Sequence, residues 1–453
     1  LEIMGVLPSD SMLSRHDGIS SYGNLTTIGE SSLNAQVIYV GTDDGNLQGT
    51  RDGGTTWTDL TGNVRGLPPR TYVSRGVASR FEEGTVLATF DGHYNDDYKP
   101  YVYASQDYGK TWRPMVQGLP DWSVNVIIEH PRARNLLLLG NEIGAYVSFD
   151  RGERWTRLKN NLPVVPVDDI KIHPRDNDLV LGTHGRSVWI MEDITPLEQL
   201  STEVLARGAH VFPVRRATLF NPYTPQGWLP GAYSAPNPPY GALIRYYLKT
   251  DAAAAPVAAG SQGNGNGAGA DDPKVKLTIT DASGRVVRTL DGAGKAGIQQ
   301  AVWDLRYDPP FQPEPGQQGG GGGGGFGGGA PRGPKVLPGT YTVQLDMAGG
   351  VSRAEVPVRL DPRVTISPAD LEARQQLLMR LHALAKPVND AARVAQRLNE
   401  QMVQTQRLLG ESASAPDALK NEARTIANDL RTLGQRLNQQ RATVQQVFGG
   451  VDV

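Results

Sequence analysis

The densest group of side chains able to do chemistry is Asp91-Gly92-His93-Tyr94-Asn95-Asp96-Asp97-Tyr98. Asp91, His93, Asn95, Asp96 and Asp97 set oxygen and nitrogen donors beside two phenol rings. Such a run could hold Ca²⁺ through Asp91, Asp96 and Asp97, or supply a carboxylate pair for acid–base work on a sugar. A solvated polar turn whose short side chains cap its own backbone accounts for the same residues and is favoured. His184 and Arg186, in Gly182-Thr183-His184-Gly185-Arg186-Ser187-Val188-Trp189, pose a second choice. They could grip an anionic or carbohydrate group. The favoured alternative pairs Arg186 with a carboxylate and gives His184 a part in closing the last repeat. Gly-x-Ser-x-Gly elbows, phosphate loops, His-Glu-x-x-His and dinucleotide fingerprints are all missing. No catalytic residue is assigned, and no resident metal or cofactor is expected.

The elements that must position these residues are repeats. Thr50-Arg51-Asp52-Gly53-Gly54-Thr55-Thr56-Trp57, Ser105-Gln106-Asp107-Tyr108-Gly109-Lys110-Thr111-Trp112 and Ser148-Phe149-Asp150-Arg151-Gly152-Glu153-Arg154-Trp155 all read Ser/Thr-x-Asp-x-Gly-x-x-Trp. Their Asp residues fall 55 and 43 positions apart, near the ~40–50 residues of a propeller blade. Asp52, Asp107 and Asp150 can accept nearby backbone N–H bonds and tie off a turn. Gly54, Gly109 and Gly152 permit a positive φ, and Trp57, Trp112 and Trp155 bring large faces to bury between blades. These motifs are therefore expected to be structural rather than catalytic. Strand-like runs around each motif predict blade-type β structure over 25–191, in about four blades, the fourth lacking the Asp motif. Residues 1–24 read as the tail of an earlier blade.

Motifs of this form, with Gly-Thr-x-x-Gly runs before them, resemble the Asp-box repeats of sortilin-like and BNR-repeat propellers. The Asp91–Tyr98 run and Gly-Thr-His-Gly-Arg-Ser-Val-Trp-Ile resemble the large bacterial exported members termed glycosyl hydrolase-like. The resemblance implies a propeller and a periplasmic or secreted setting, and it specifies fold better than activity. An open partial ring would leave strand edges exposed. Further blades are therefore expected before Leu1 in the precursor, or from a second chain.

The 453 residues predict more than one domain. Net charge is −2 and no basic block occurs, so there is no electrostatic case for nucleic acid. Cysteine is absent, which rules out disulfides and thiolate chemistry. No apolar run reaches the ~20 residues of a membrane span. Blades are expected over 1–200 and an Ig-like β-sandwich over 201–365, with flexible insertions at 252–271 and 316–333. Trp303 and Tyr341 should lie in the sandwich core.

A heptad-patterned antiparallel helical hairpin is expected over 366–448. Its first helix carries Leu377, Leu381, Leu384, Val388, Ala391, Ala395, Leu398, Met402, Thr405 and Leu409 in 4-3 alternation. Leu419, Ala423, Ile426, Leu430, Leu433, Leu437, Gln440, Val444 and Val447 repeat the pattern in the second. The two seams are expected to pack on each other, with Pro387 kinking or splitting the first helix.

The expected function is an extracytoplasmic binding or scaffold protein taking a protein, peptide or glycan on its loop face. It would serve as an accessory subunit of a larger envelope assembly, with the helical arm as a docking element for a protein partner. The alternative is a glycoside hydrolase acting on polysaccharide.

Overall fold

Short alternating apolar runs closed by tight turns form antiparallel meanders. The computed structural model describes residues 22–159, 161–221, 238–252, 273–311, 332–347, 350–412 and 414–450. Residues 1–21 of the expected earlier-blade tail, and nearly all of 252–271 and 316–333, lie outside them. The chain divides into two compact units, Leu1–Val204 and Leu205–Val453.

Unit 1 is built of propeller-type blades. The first is β1 (Leu25–Glu30), β2 (Ile38–Thr42), β3 (Leu47–Thr50) and β4 (Thr58–Asp59). The second is β5 (Tyr72–Ala78), β6 (Val86–Gly92), β7 (Asp97–Ser105) and β8 (Arg113–Pro114). The third is β9 (Val124–Glu129), β10 (Leu137–Asn141), β11 (Gly144–Ser148) and β12 (Thr156–Leu158). The fourth has three strands, β13 (Val167–Ile172), β14 (Leu179–Thr183) and β15 (Val188–Met191). Within each sheet the strands lie in chain order.

Blade packs on blade through the first strands, β1 on β5, β5 on β9 and β9 on β13. No comparable packing joins β13 to β1 among the described residues, so the four blades form an open arc. A Cβ on Gly29 would sit 2.6 Å from the Gly76 carbonyl oxygen; the bare backbone there lets the first two blades meet. Buried side chains fill the spaces between blades, with Leu47, Val73, Phe90 and Tyr103 in one and Met115, Ile127, Leu139 and Trp155 in the next. Two short helices follow, α1 (Thr195–Gln199) and α2 (Thr202–Ala206).

Unit 2 begins with a sandwich. Its strands are β16 (Ala209–Val211), β17 (Ala217–Leu219), β18 (Ala242–Leu248), β19 (Lys274–Thr280), β20 (Val286–Ala293), β21 (Gly297–Trp303), β22 (Gly339–Met347) and β23 (Gly350–Leu360). One sheet runs β16-β18-β21 and the other β17-β23-β22-β19-β20. Between them Trp303 meets Tyr341 edge to face at 5.1 Å among buried Tyr246, Leu277, Ile279 and Val343. Both aromatics are in the core, as the sequence predicts.

The hairpin is α3 (Pro368–Glu411) and α4 (Asp417–Gly450). Ser367 caps α3, its hydroxyl accepting from the Asp370 N–H at 3.1 Å. Pro387 does not split α3, which runs on as one helix.

The predicted seam forms only in part: its Ala395 and Ala423 are buried and its Leu381, Val444 and Val447 pack at the base, but alternate members of both rows face out. The buried row of α3 is Leu371, Gln375, Leu378, Ala385, Asn389, Ala392 and Ala395, while Leu377, Leu384 and Leu398 are exposed. In α4 Ala423 and Ala427 are buried, and Leu419, Ile426 and Leu433 face outward. Leu378 and Ala385 share a cluster with Phe448, against which Phe311 packs. Burying that base turns the Leu377–Leu384 row out, and the small alanines let the helices approach.

Candidate functional site

Each Ser/Thr-x-Asp-x-Gly-x-x-Trp motif joins the third strand of its blade to the fourth, at one end of the sheet. Thr50 Oγ1 donates to Asp52 Oδ1 at 2.8 Å, and Ser105 and Ser148 donate alike to Asp107 (2.8 Å) and Asp150 (2.7 Å). The N–H groups of Thr56, Thr111 and Arg154 donate to the same carboxylates at 2.9, 2.8 and 3.0 Å. Side-chain and backbone bonds from Thr56 hold Asp52 down to about 2, and Thr111 does the same for Asp107. Gly54, Gly109 and Gly152 sit at φ of 93°, 84° and 84°. The carboxylates are spent within their own turns.

The tryptophans differ in their surroundings. Trp57 and Trp112 donate Nε1–H to the carbonyls of Gly54 and Gly109 in their own turns. Trp155 instead donates to the Met115 carbonyl at 2.8 Å, across the space between the second and third blades. Trp112 packs on the Leu47–Tyr103 cluster, Trp155 lies inside the next, and Trp57 stays 41% exposed.

At the opposite end of each sheet the second strand turns into the third. In the second blade this connection is shorter than the sequence predicts. β6 continues through Asp91 to Gly92, one 3₁₀ turn spans His93–Asn95, and β7 begins at Asp97. Asp91 is thus a buried strand residue rather than a loop residue.

The Asp91 carboxylate accepts the His93 N–H at 2.9 Å and pairs with His93 Nδ1 at 2.5 Å. Burial pushes this carboxyl up, but the bonds from His93 outweigh it and leave it below the ordinary carboxylate range. His93 is raised chiefly by its bond to Asp91, with burial opposing. Asp97 points elsewhere, accepting from the Tyr101 hydroxyl at 2.6 Å. Asp96 occupies the left-handed region at φ 55° and ends the 3₁₀ turn, which includes exposed Asn95. Among the described residues no three His, Asp or Glu side chains converge to hold a metal ion.

Asp91→Asn is expected to lower the pKa of His93, read from its ring-proton shifts in an NMR titration. Because pairing raises His93, its contribution to stability is complete below about pH 6.5 and is lost as pH rises through the raised value. Superimposable titrations of the two proteins would refute the coupling.

One aromatic ring lies against this pair, and two more meet each other in the neighbouring segments. The Tyr94 ring lies 4.2 Å from that of His93, and Tyr98 meets Trp122 edge to face at 5.9 Å. Tyr94, Tyr98 and Trp122 are all exposed. Trp122 comes from the connection between the second and third blades, a segment without the density of polar donors that marks Asp91–Tyr98. Its signal was available: an aromatic in a blade-to-blade loop belongs on the same face as the second-to-third turns.

His184 and Arg186 occupy the equivalent turn of the fourth blade. His184 Nδ1 lies 3.6 Å from Asp168 Oδ2. Arg186 makes no ion pair among the described residues; its carbonyl accepts from Trp189 Nε1 at 3.1 Å. Arg75 of β5 does bridge blades, its guanidinium donating to Asp169 of β13 at 2.9 Å.

The strand order and blade packing place unit 1 among β-propeller folds. No protein-family profile and no curated protein matches the chain. Among solved structures it is similar to YCF48 bound to D1 peptide (15% identity, TM-score 0.28, 38% of this chain and 53% of that one). YCF48 from Cyanidioschyzon merolae gives 17% identity and a TM-score of 0.25, over 38% of this chain and 57% of that one. The Niastella koreensis GH74 enzyme gives 10% and 0.30, over 73% and 46%. The chain thus spans about half the length of these proteins.

No described helix is long and apolar enough to cross a membrane.

Proposed function

We propose that the second-to-third-strand face of unit 1 is a binding surface, and that the protein is a sortilin-like, BNR-type scaffold. The observation that carries this reading is the set of exposed aromatics at this turn, Tyr94 against His93 and Tyr98 against Trp122. Rigid aromatic rings lose little side-chain entropy on binding and offer flat apolar faces beside polar edges. Such a surface suits a peptide or the face of a sugar ring. An extracytoplasmic setting rests on the sequence resemblance alone.

Further blades, from the precursor or from another chain, would cover the ends of the arc. Thr27 and Gly29 of β1 face the second blade, whereas Ile28 points the other way and is exposed, as is Trp57. Val188 and Ile190 are exposed in the same manner on β15.

The test is ligand capture on arrays of peptides and oligosaccharides by the full chain, with Tyr98→Ala/Trp122→Ala alongside. The double variant is expected to lose about 10-fold or more in affinity for whatever is retained, since aromatic anchors dominate such surfaces. Equal retention by both proteins would refute the surface. Release of reducing sugar from polysaccharide, abolished by removing one carboxylate, would establish the glycoside hydrolase instead.

A further inference from the structure

We propose that one face of the helical hairpin is a self-association surface, on which a second copy of this chain packs antiparallel to form a four-helix bundle. Leu377, Leu384 and Leu398 of α3, with Leu419, Ile426 and Leu433 of α4, are each between 40% and 57% exposed. Their spacing in sevens or multiples of seven makes one row on each helix. Counted from the buried 4-3 seam, both rows fall on the same flank of the pair. The other flank is charged, with exposed Lys386, Arg407, Arg424 and Arg431. A solvated helix pair has no need of a second apolar flank.

The rows occupy opposite halves of the hairpin, and this points to the occupant. At 1.5 Å per residue, Leu419–Leu433 lie within about 25 Å of the turn, whereas Leu398 to Leu377 lie about 20 to 50 Å from it. Within one chain the two rows therefore overlap little. A second hairpin laid antiparallel brings them together: Leu419 comes level with Leu377 of the copy, Ile426 with Leu384 and Leu433 with Ala391. The same register sets Glu422 level with Arg380 of the copy, at the rim, so charge and apolar pattern agree.

Area agrees as well. In this register Leu398 comes level with Gln440, and the other five side chains expose about 400 Å² of apolar surface, within the range of the largest patch on an ordinary monomer. That is also close to the apolar share of the roughly 800 Å² per partner of a standard interface.

The full chain is expected to sediment as a dimer at micromolar concentration. Leu384→Glu/Ile426→Glu should raise the dissociation constant at least about 100-fold with helicity unchanged, because both positions lie outside the seam. Glu422→Arg should weaken the dimer, and Arg380→Glu in the same chain should restore it. The protein has no cysteine, so Leu377→Cys/Leu419→Cys reports the register directly. Those positions are about 50 Å apart within one hairpin, and oxidation should give only covalent dimers.

A monomer at 100 µM, a dimer indifferent to the double glutamate variant, or monomers that instead bind phosphatidylcholine–phosphatidylglycerol vesicles through this face would each overturn the proposal.

Discussion

Replacing Trp155 with alanine is expected to destabilise unit 1 by about 3–5 kcal/mol, the usual cost of removing a large buried aromatic. Trp155 is 3% exposed and fills the space between the second and third blades with Met115, Ile127 and Leu139. Its loss also leaves the Met115 carbonyl without the indole donor, a further penalty of about 1–3 kcal/mol if water does not replace it. Trp57→Ala is the comparison, with the same place in the motif but 41% exposure and a bond only within its own turn. It should cost less than about 1.5 kcal/mol. Urea unfolding followed by amide exchange across residues 72–158 measures both. Equal costs for the two variants would mean that the motif, not burial between blades, sets the energy.

Trp303→Ala should be comparably damaging in unit 2, again by about 3–5 kcal/mol. Trp303 is fully buried between the two sheets, lies edge to face with Tyr341, and donates Nε1–H to the Arg306 carbonyl at 2.9 Å. Alanine opens a cavity in a core that both sheets share, so exchange protection should fall in β18, β21 and β22 together. Tyr341→Phe keeps the ring pair and removes only the hydroxyl bond to the Leu337 carbonyl, at about 1 kcal/mol. If the two variants cost the same, or if protection falls in one sheet alone, a shared core is the wrong description.

Much of the fold was legible because its signals are local. Apolar runs such as Val124–Glu129 and Leu179–Thr183 end in turns, and both strands form where the sequence places them. Ser367-Pro368-Ala369-Asp370 announces a helix start through capping chemistry confined to four residues. Strands β16, β17 and β18 were not legible: two are three residues long, and β18 follows a stretch rich in proline and glycine.

The candidate site was legible only in part. Asp91, His93 and Tyr94 stood out by type and density, but Asp91 read as a loop carboxylate and is a buried strand residue. Trp122 joins Tyr98 from 24 positions away, and no periodicity connects them. In the hairpin the apolar heptads predicted only half of the seam: Leu381, Ala395, Ala423 and Val444 pack inward, while Leu377, Leu384, Leu419 and Ile426 face out. Several 4-3 rows coexist on one helix, and the Phe448 and Phe311 contacts at the base selected among them.

From the sequence alone came the repeated Asp–Gly–Trp turn, the meander of each blade and the two long helices, all matters of neighbours within a few residues. Tertiary structure alone decided which tryptophan is buried, which helix row is left outside, and that His93 pairs with a buried Asp91 beside exposed Tyr94. Those outcomes turn on competition among several surfaces for one partner, and the free energy of that choice lies between elements distant in the chain rather than within any one of them.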